Sequence, residues 1–153
     1  MNLEEKIARG AELKDEGNAL FKARDRKAAL RKYHESLLYL HGQSTQDVTV
    51  PLRQKDAVVS DDQKQQIDAL LVSIYANMAA CHIGDQKWEQ VIRYSGKALD
   101  KDPDHFKARL RRANAYLSTG NTDRAERDLE ALATSHPDGK CHKRCQLMRS
   151  PSC

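Results

Sequence analysis

Pro103 and Pro137 stand 34 residues apart, and each follows a run that reads as the end of a helix, YSGKALDKDPD at the first and LEALATSHPD at the second. Proline cannot continue a helix, and it turns the residue before it away from helical geometry. Superposing the chain on itself at this spacing pairs Val91 with Ala125, Ala98 with Leu132 and His82 with Tyr116. A period of this length holds two helices, and a helix pair that cannot bury its own apolar face must stack on the next. The spacing commits the chain to an all-α solenoid.

A third copy lies upstream, in LKDEGNALFK (13–22). Leu13, Leu20 and Phe21 recur there at helical spacing around Gly17, where glycine costs about 1 kcal/mol relative to alanine. Gly17 falls in the same phase as Ala79 and Ala113, and all three are small. That phase predicts the point where the two helices of a unit, A and B, approach closely, so packing offsets the lost propensity. The register then places Leu13, Leu20, Ala29, Tyr33 and Leu37 in the core. The predicted A helices span about Leu3–Ala23, Asp62–Ile83 and His105–Thr119. The predicted B helices span Lys27–Leu40, Lys87–Lys101 and Thr122–Thr134. Asp61 or Ser60 is the expected N-cap of the second A helix and Asp104 that of the third. Gly84-Asp85 and Gly120-Asn121 mark tight turns. Trp88 is expected to pack between the A and B helices of its unit.

A 34-residue unit of two helices is identified as a tetratricopeptide repeat. The expected organisation is a repeat domain over residues 3–136, with repeats at about 10–41, 72–103 and 106–137. Between the first two lies an insertion over about 42–69, because Gly17 and Ala79 are separated by 28 residues more than one period. GQSTQDVTVPLRQKDAVVSDDQ is polar and aperiodic, and it reads as an exposed loop with lengthened flanking helices. A short binding motif at VTVPL is the alternative. Residues 138–153 form a basic, cysteine-containing tail expected to be disordered. It makes a poor cap for the last repeat, so the exposed side of the last B helix is expected to be a weak point or a dimerisation surface.

Composition narrows the function. The net charge of +4 is spread over interleaved acidic and basic residues, which does not resemble a nucleic-acid footprint. Arg109–Arg112 has no aromatic stacking platform beside it. The longest apolar run, IDALLVSIYANMAACHI (67–83), reads as too polar and too short to span a bilayer. MNLEEKIARG has no apolar h-region, so no signal peptide is expected. Cys81, Cys141, Cys145 and Cys153 lack disulfide-framework spacing, so reduced thiols in the cytoplasm are expected. Cys141, His142, Cys145 and His136 match no usual zinc spacing. No nucleophile–base arrangement or phosphate loop is present. No catalytic role, metal or cofactor is expected.

The binding site is read from the A helices, which line the concave face of such an array. Lys14 and Asn18 lie four apart on the first, Asn77 on the second, and Lys107 and Arg111 four apart on the third. LKDEGN, YANMAA and FKARLRRA resemble the dicarboxylate-clamp repeats of cytosolic chaperone adaptors. In that family the pattern Lys-x-x-x-Asn, Asn, Lys-x-x-x-Arg grips the C-terminal Glu-Glu-Val-Asp tail of heat-shock proteins 70 and 90. The resemblance implies that Lys14, Asn18 and Asn77 hold the terminal carboxylate and that Lys107 helps to hold the last Asp side chain. Arg111 would then contact carboxylates or carbonyls farther along.

Asparagines at these phases are common for fold reasons, so the cations carry more weight. With 26 Lys or Arg in 153 residues, three chosen positions are all basic by chance roughly 0.005 of the time if independent. KYHESLLYL, the insertion and RYSGKALDKDPDHFKA are similar to the tetratricopeptide repeat protein 9 family, and the three-repeat domains of large immunophilins share the layout. The expected function is a non-catalytic co-chaperone or adaptor. The alternative is a scaffold that binds internal protein surfaces, or itself, independently of the clamp.

Overall fold

The computed structural model describes residues 2–41 and 59–136, and they form six helices with no strand among them. These are α1 (Leu3–Lys22), α2 (Arg26–His41), α3 (Asp61–Gly84), α4 (Trp88–Lys101), α5 (Phe106–Ser118) and α6 (Thr122–Ser135). Their ends lie within a residue or two of those predicted. The loop and VTVPL readings of the insertion, and the reading of the tail, fall outside the described residues.

Side chains cap the starts of α1, α3 and α5. Asn2 and Ser60 form capping boxes with Glu5 and Gln63, which satisfies backbone donors at the starts of α1 and α3. Asp104 does not cap α5. His105 does, through Nδ1, which accepts from the Ala108 N–H at 3.1 Å. Asp104 lies one residue too early, and its own N–H donates to Asp102 Oδ1.

Each A–B turn carries one residue in the left-handed region, Arg24 (φ 63°), Gln86 (φ 55°) and Gly120 (φ 83°). All three occupy the same phase of the repeat. Gly84 therefore does not make the second turn. It is the last residue of α3, and the Arg26 side chain lies against it.

Helices pair as α1–α2, α3–α4 and α5–α6, and each B helix also packs on the next A helix. The backbones of α1 and α3, and of α3 and α5, come into contact, whereas those of the B helices do not. A stack whose A helices touch in series while its B helices splay apart curves with the A helices inside.

The largest core cluster combines Tyr33, Leu37 and Leu40 of α2 with Ile67, Leu71, Ile74 and Met78 of α3. Ala79, Val91 and Ala115 form a second cluster, against which Trp88 packs. Ala113, Leu129 and Leu132 form a third. Leu13, Ala29, Tyr33, Leu37, Val91, Ala98, Ala125 and Leu132 are all buried, and Leu20 packs against the core.

Gly17 is the predicted close approach. A Cβ there would lie 2.6 Å from Cε1 of Tyr33. Gly10 is a second one that the periodicity did not reveal, with Leu40 3.0 Å from a built Cβ and Ser36 Oγ donating to its carbonyl at 2.7 Å.

One expectation changes. At 24 residues α3 is long and apolar enough, by composition, to cross a membrane. It extends beyond the apolar run in both directions, yet just over half of its apolar window is buried against the other helices, which makes it the central core helix. Among the described residues the large apolar side chains left exposed are Phe21 and Leu38, on α1 and α2.

Candidate carboxylate-binding groove

The concave face is assembled from one side each of α1, α3 and α5. Asn18 and Asn77 meet directly across it, Asn77 Nδ2 donating to Asn18 Oδ1 at 2.8 Å. The Tyr33 hydroxyl, rising from α2, donates to the same oxygen at 2.8 Å. On the far side, Arg111 Nη1 donates to the carbonyl of Ala76, the residue before Asn77, at 2.7 Å. Two of these bonds join successive A helices, so the predicted Asn18, Asn77 and Arg111 form one cluster.

Lys14 and Lys107 stand one turn N-terminal to Asn18 and Arg111, about 6 Å along their helices. Neither hydrogen-bonds to the cluster. Lys14 is half-buried with its ammonium 3.3 Å from Asp15. Lys107 is exposed and makes no ion pair among the described residues.

The electrostatics of the cluster follow from burial. Arg111 is half-buried, and desolvation lowers its pKa, opposed by the nearby Cys81 and Tyr33. Among the described residues no carboxylate pairs with it. Burial pushes the Tyr33 phenol up to about 12 and the Cys81 thiol up to about 11. Cys81 is fully buried and free, a core thiol rather than a reactive one. An arginine partly removed from water without a counter-charge, beside amides with spare donors, has the chemistry that suits an anion.

The neighbouring Arg112 is spent on the fold. Its Nε and Nη2 each donate to a carboxylate oxygen of Asp128 at 2.7 Å, and Asp128 is buried. Arg109 reaches the same carboxylate at 3.7 Å. This ties Arg109 and Arg112 to α6.

Among the described residues no three metal-ligating side chains gather. The His136 ring packs on Phe106, while Cys141, His142 and Cys145 lie outside the described residues. Sequence reasoning missed the hydroxyl of Tyr33, which it had assigned to the core. The available signal was a tyrosine where the other two units have Ser95 and Leu129.

The tetratricopeptide repeat family matches residues 73–144. Over 143 residues the chain is 28% identical to the peptidyl-prolyl cis-trans isomerase FKBP4 of Rattus norvegicus, which covers 94% of this chain and 28% of that protein. The chain thus spans little more than a quarter of the length of that relative.

The C-terminal domain of a putative FK506-binding protein of Plasmodium falciparum superposes with a TM-score of 0.75, at 22% identity and over 97% and 96% of the two chains. The second repeat domain of human RPAP3, solved with the heat-shock protein 70 peptide SGPTIEEVD, gives 0.62 at 19% identity over 92% and 91%. A second RPAP3 structure, with the heat-shock protein 90 peptide SRMEEVD, gives 0.63. Helix order, the shared phase of the three turns and these likenesses agree on the fold: three helix–turn–helix units stacked as in tetratricopeptide repeat domains.

Proposed function

We propose that the chain is a non-catalytic adaptor module of the cytoplasm that takes up the acidic C-terminal peptide of heat-shock protein 90 or 70 through its terminal carboxylates. The observation that carries this reading is Arg111, desolvated without an acidic partner among the described residues and set beside the bonded Asn18–Asn77 pair. A C-terminal aspartate presents two anionic groups a few ångströms apart. In this reading Lys14, Asn18 and Asn77 hold the main-chain carboxylate, Lys107 the side-chain carboxylate, and Arg111 a carboxylate or carbonyl upstream. Each charge-assisted hydrogen bond contributes about 1.5–3 kcal/mol. The peptides held by the RPAP3 domain of like fold both end in Glu-Glu-Val-Asp, which supports the assignment.

The test is a titration of the full chain with a peptide ending Met-Glu-Glu-Val-Asp, as the free acid and as the C-terminal amide. The free acid binds in the micromolar range, and binding is lost on amidation or with Lys107→Ala. Equal binding of the two forms, or none, overturns the reading. A scaffold that works elsewhere on the surface retains its partners in the Lys14→Ala and Arg111→Ala proteins.

A further inference from the structure

The first groove asparagine is held from beneath. Tyr33 enters the space that Gly17 leaves open, with its ring fully buried. Its hydroxyl and Asn77 Nδ2 both donate to Asn18 Oδ1. When two donors occupy the oxygen of a planar amide, what remains is its –NH2 edge, which offers donors only. That edge has no acceptor among the described residues, and a carboxylate is the ligand it suits.

The other units show that the repeat does not require this arrangement. Sixteen residues beyond the small A-helix residue, where the first unit has Tyr33, the second has Ser95 and the third Leu129, all buried. Leu129 shows that a wholly apolar side chain serves the packing. Phenylalanine would fill the Gly17 space without burying a hydroxyl, which is costly unless that hydroxyl is bonded. The first unit keeps the hydroxyl and aims it at a groove residue.

We propose that Tyr33 is a positioning residue for carboxylate recognition: its buried hydroxyl locks the Asn18 amide with the –NH2 edge turned to the groove. The inference rests on the carboxylate-binding reading above. A donor fixed before the ligand arrives does not have to be ordered on binding. Released, the amide can turn its oxygen toward the groove and repel a carboxylate. The raised phenol pKa keeps Tyr33 a donor throughout the neutral range.

Tyr33→Phe keeps the ring and removes only the hydroxyl. In the peptide-free protein the Asn18 side-chain amide signals shift in a nitrogen–proton correlation spectrum, while thermal unfolding moves by no more than a few degrees. Affinity for the free-acid peptide falls about five- to tenfold, as expected for one hydrogen bond, and the amidated peptide is not bound, as with the wild type. In an Asn18→Ala background Tyr33→Phe has no further effect.

Wild-type affinity in Tyr33→Phe, or an equal loss with and without Asn18, overturns this inference and leaves the peptide reading standing. A wild-type protein that does not distinguish acid from amide overturns both.

Discussion

Arg111 and Arg112 are neighbours in sequence, about 100° apart around α5, and they meet opposite surroundings. Arg112 faces α6 and is locked in a two-pronged pair with buried Asp128, which raises its pKa. Arg111 faces α3, donates to the Ala76 carbonyl, and has its pKa lowered by burial. One guanidinium has its counter-charge within its own unit. The other lies on the inner face with a cost that a ligand anion would relieve. The same residue type therefore meets a counter-charge or none according to which side of the helix it leaves.

The contrast breaks most visibly at Asp128. Asp128→Ala leaves Arg112 without its partner and is expected to lower the unfolding free energy by about 2–4 kcal/mol in urea denaturation. Affinity for the free-acid peptide, measured where the variant is still folded, stays near the wild-type value.

Arg111→Ala reverses the pattern. Stability is expected to change by about 0.5 kcal/mol or less, while binding of the free acid weakens by about 1.5–3 kcal/mol in calorimetric titration. A large loss of stability in Arg111→Ala would make it a structural residue like its neighbour.

A smaller effect comes from the cap that starts the helix carrying both arginines. His105 accepts from Ala108 only when Nδ1 is unprotonated, and its pKa is lowered, chiefly by burial. Asp102 opposes that shift, while Arg111 and Lys107 add to it. The unfolded chain, with the ordinary histidine value near 6.5, therefore takes up the proton first. The cap's contribution is complete above about pH 6.5 and is lost as pH falls through the lowered folded value. Buried His82, also lowered, adds in the same direction. His105→Asn keeps a capping acceptor that does not titrate. Thermal unfolding followed between pH 7.5 and 5 should show it recovering up to about 1 kcal/mol of the acid loss. A pH profile identical to wild type would remove the cap from the account.

Much of this was legible in the chain because repetition reveals register. Once Gly17, Ala79 and Ala113 share a phase, the helix ends, the core positions and the groove-facing side of each A helix follow. Asn18, Asn77 and Arg111 could thus be placed on one face before any contact was known. What stayed hidden has no periodic signal. Left-handed geometry at Arg24 and Gln86 is imposed by the turn on residues that do not favour it, so the glycine at 84 pointed to the wrong position. The His105 cap depended on a one-residue shift at a helix start. The Arg112–Asp128 pair and the Tyr33 hydroxyl required knowing which atoms face each other across an A–B pair, and periodicity locates a side chain without its polar end.

The bonds from Asn77 to Asn18 and from Arg111 to Ala76 are polar rungs between consecutive units along the inner curve. Stacked repeats lean only on their neighbours, so they fray from the ends, one unit at a time. A peptide gripped at α1, α3 and α5 would act as a splint and give the array an end-to-end contact that its own topology lacks. Opening the last helix pair would then require letting go of a ligand anchored at the first. The consequence is one of cooperativity: the bound array should open as a single block, with slowed amide exchange at both ends and a sharper unfolding transition.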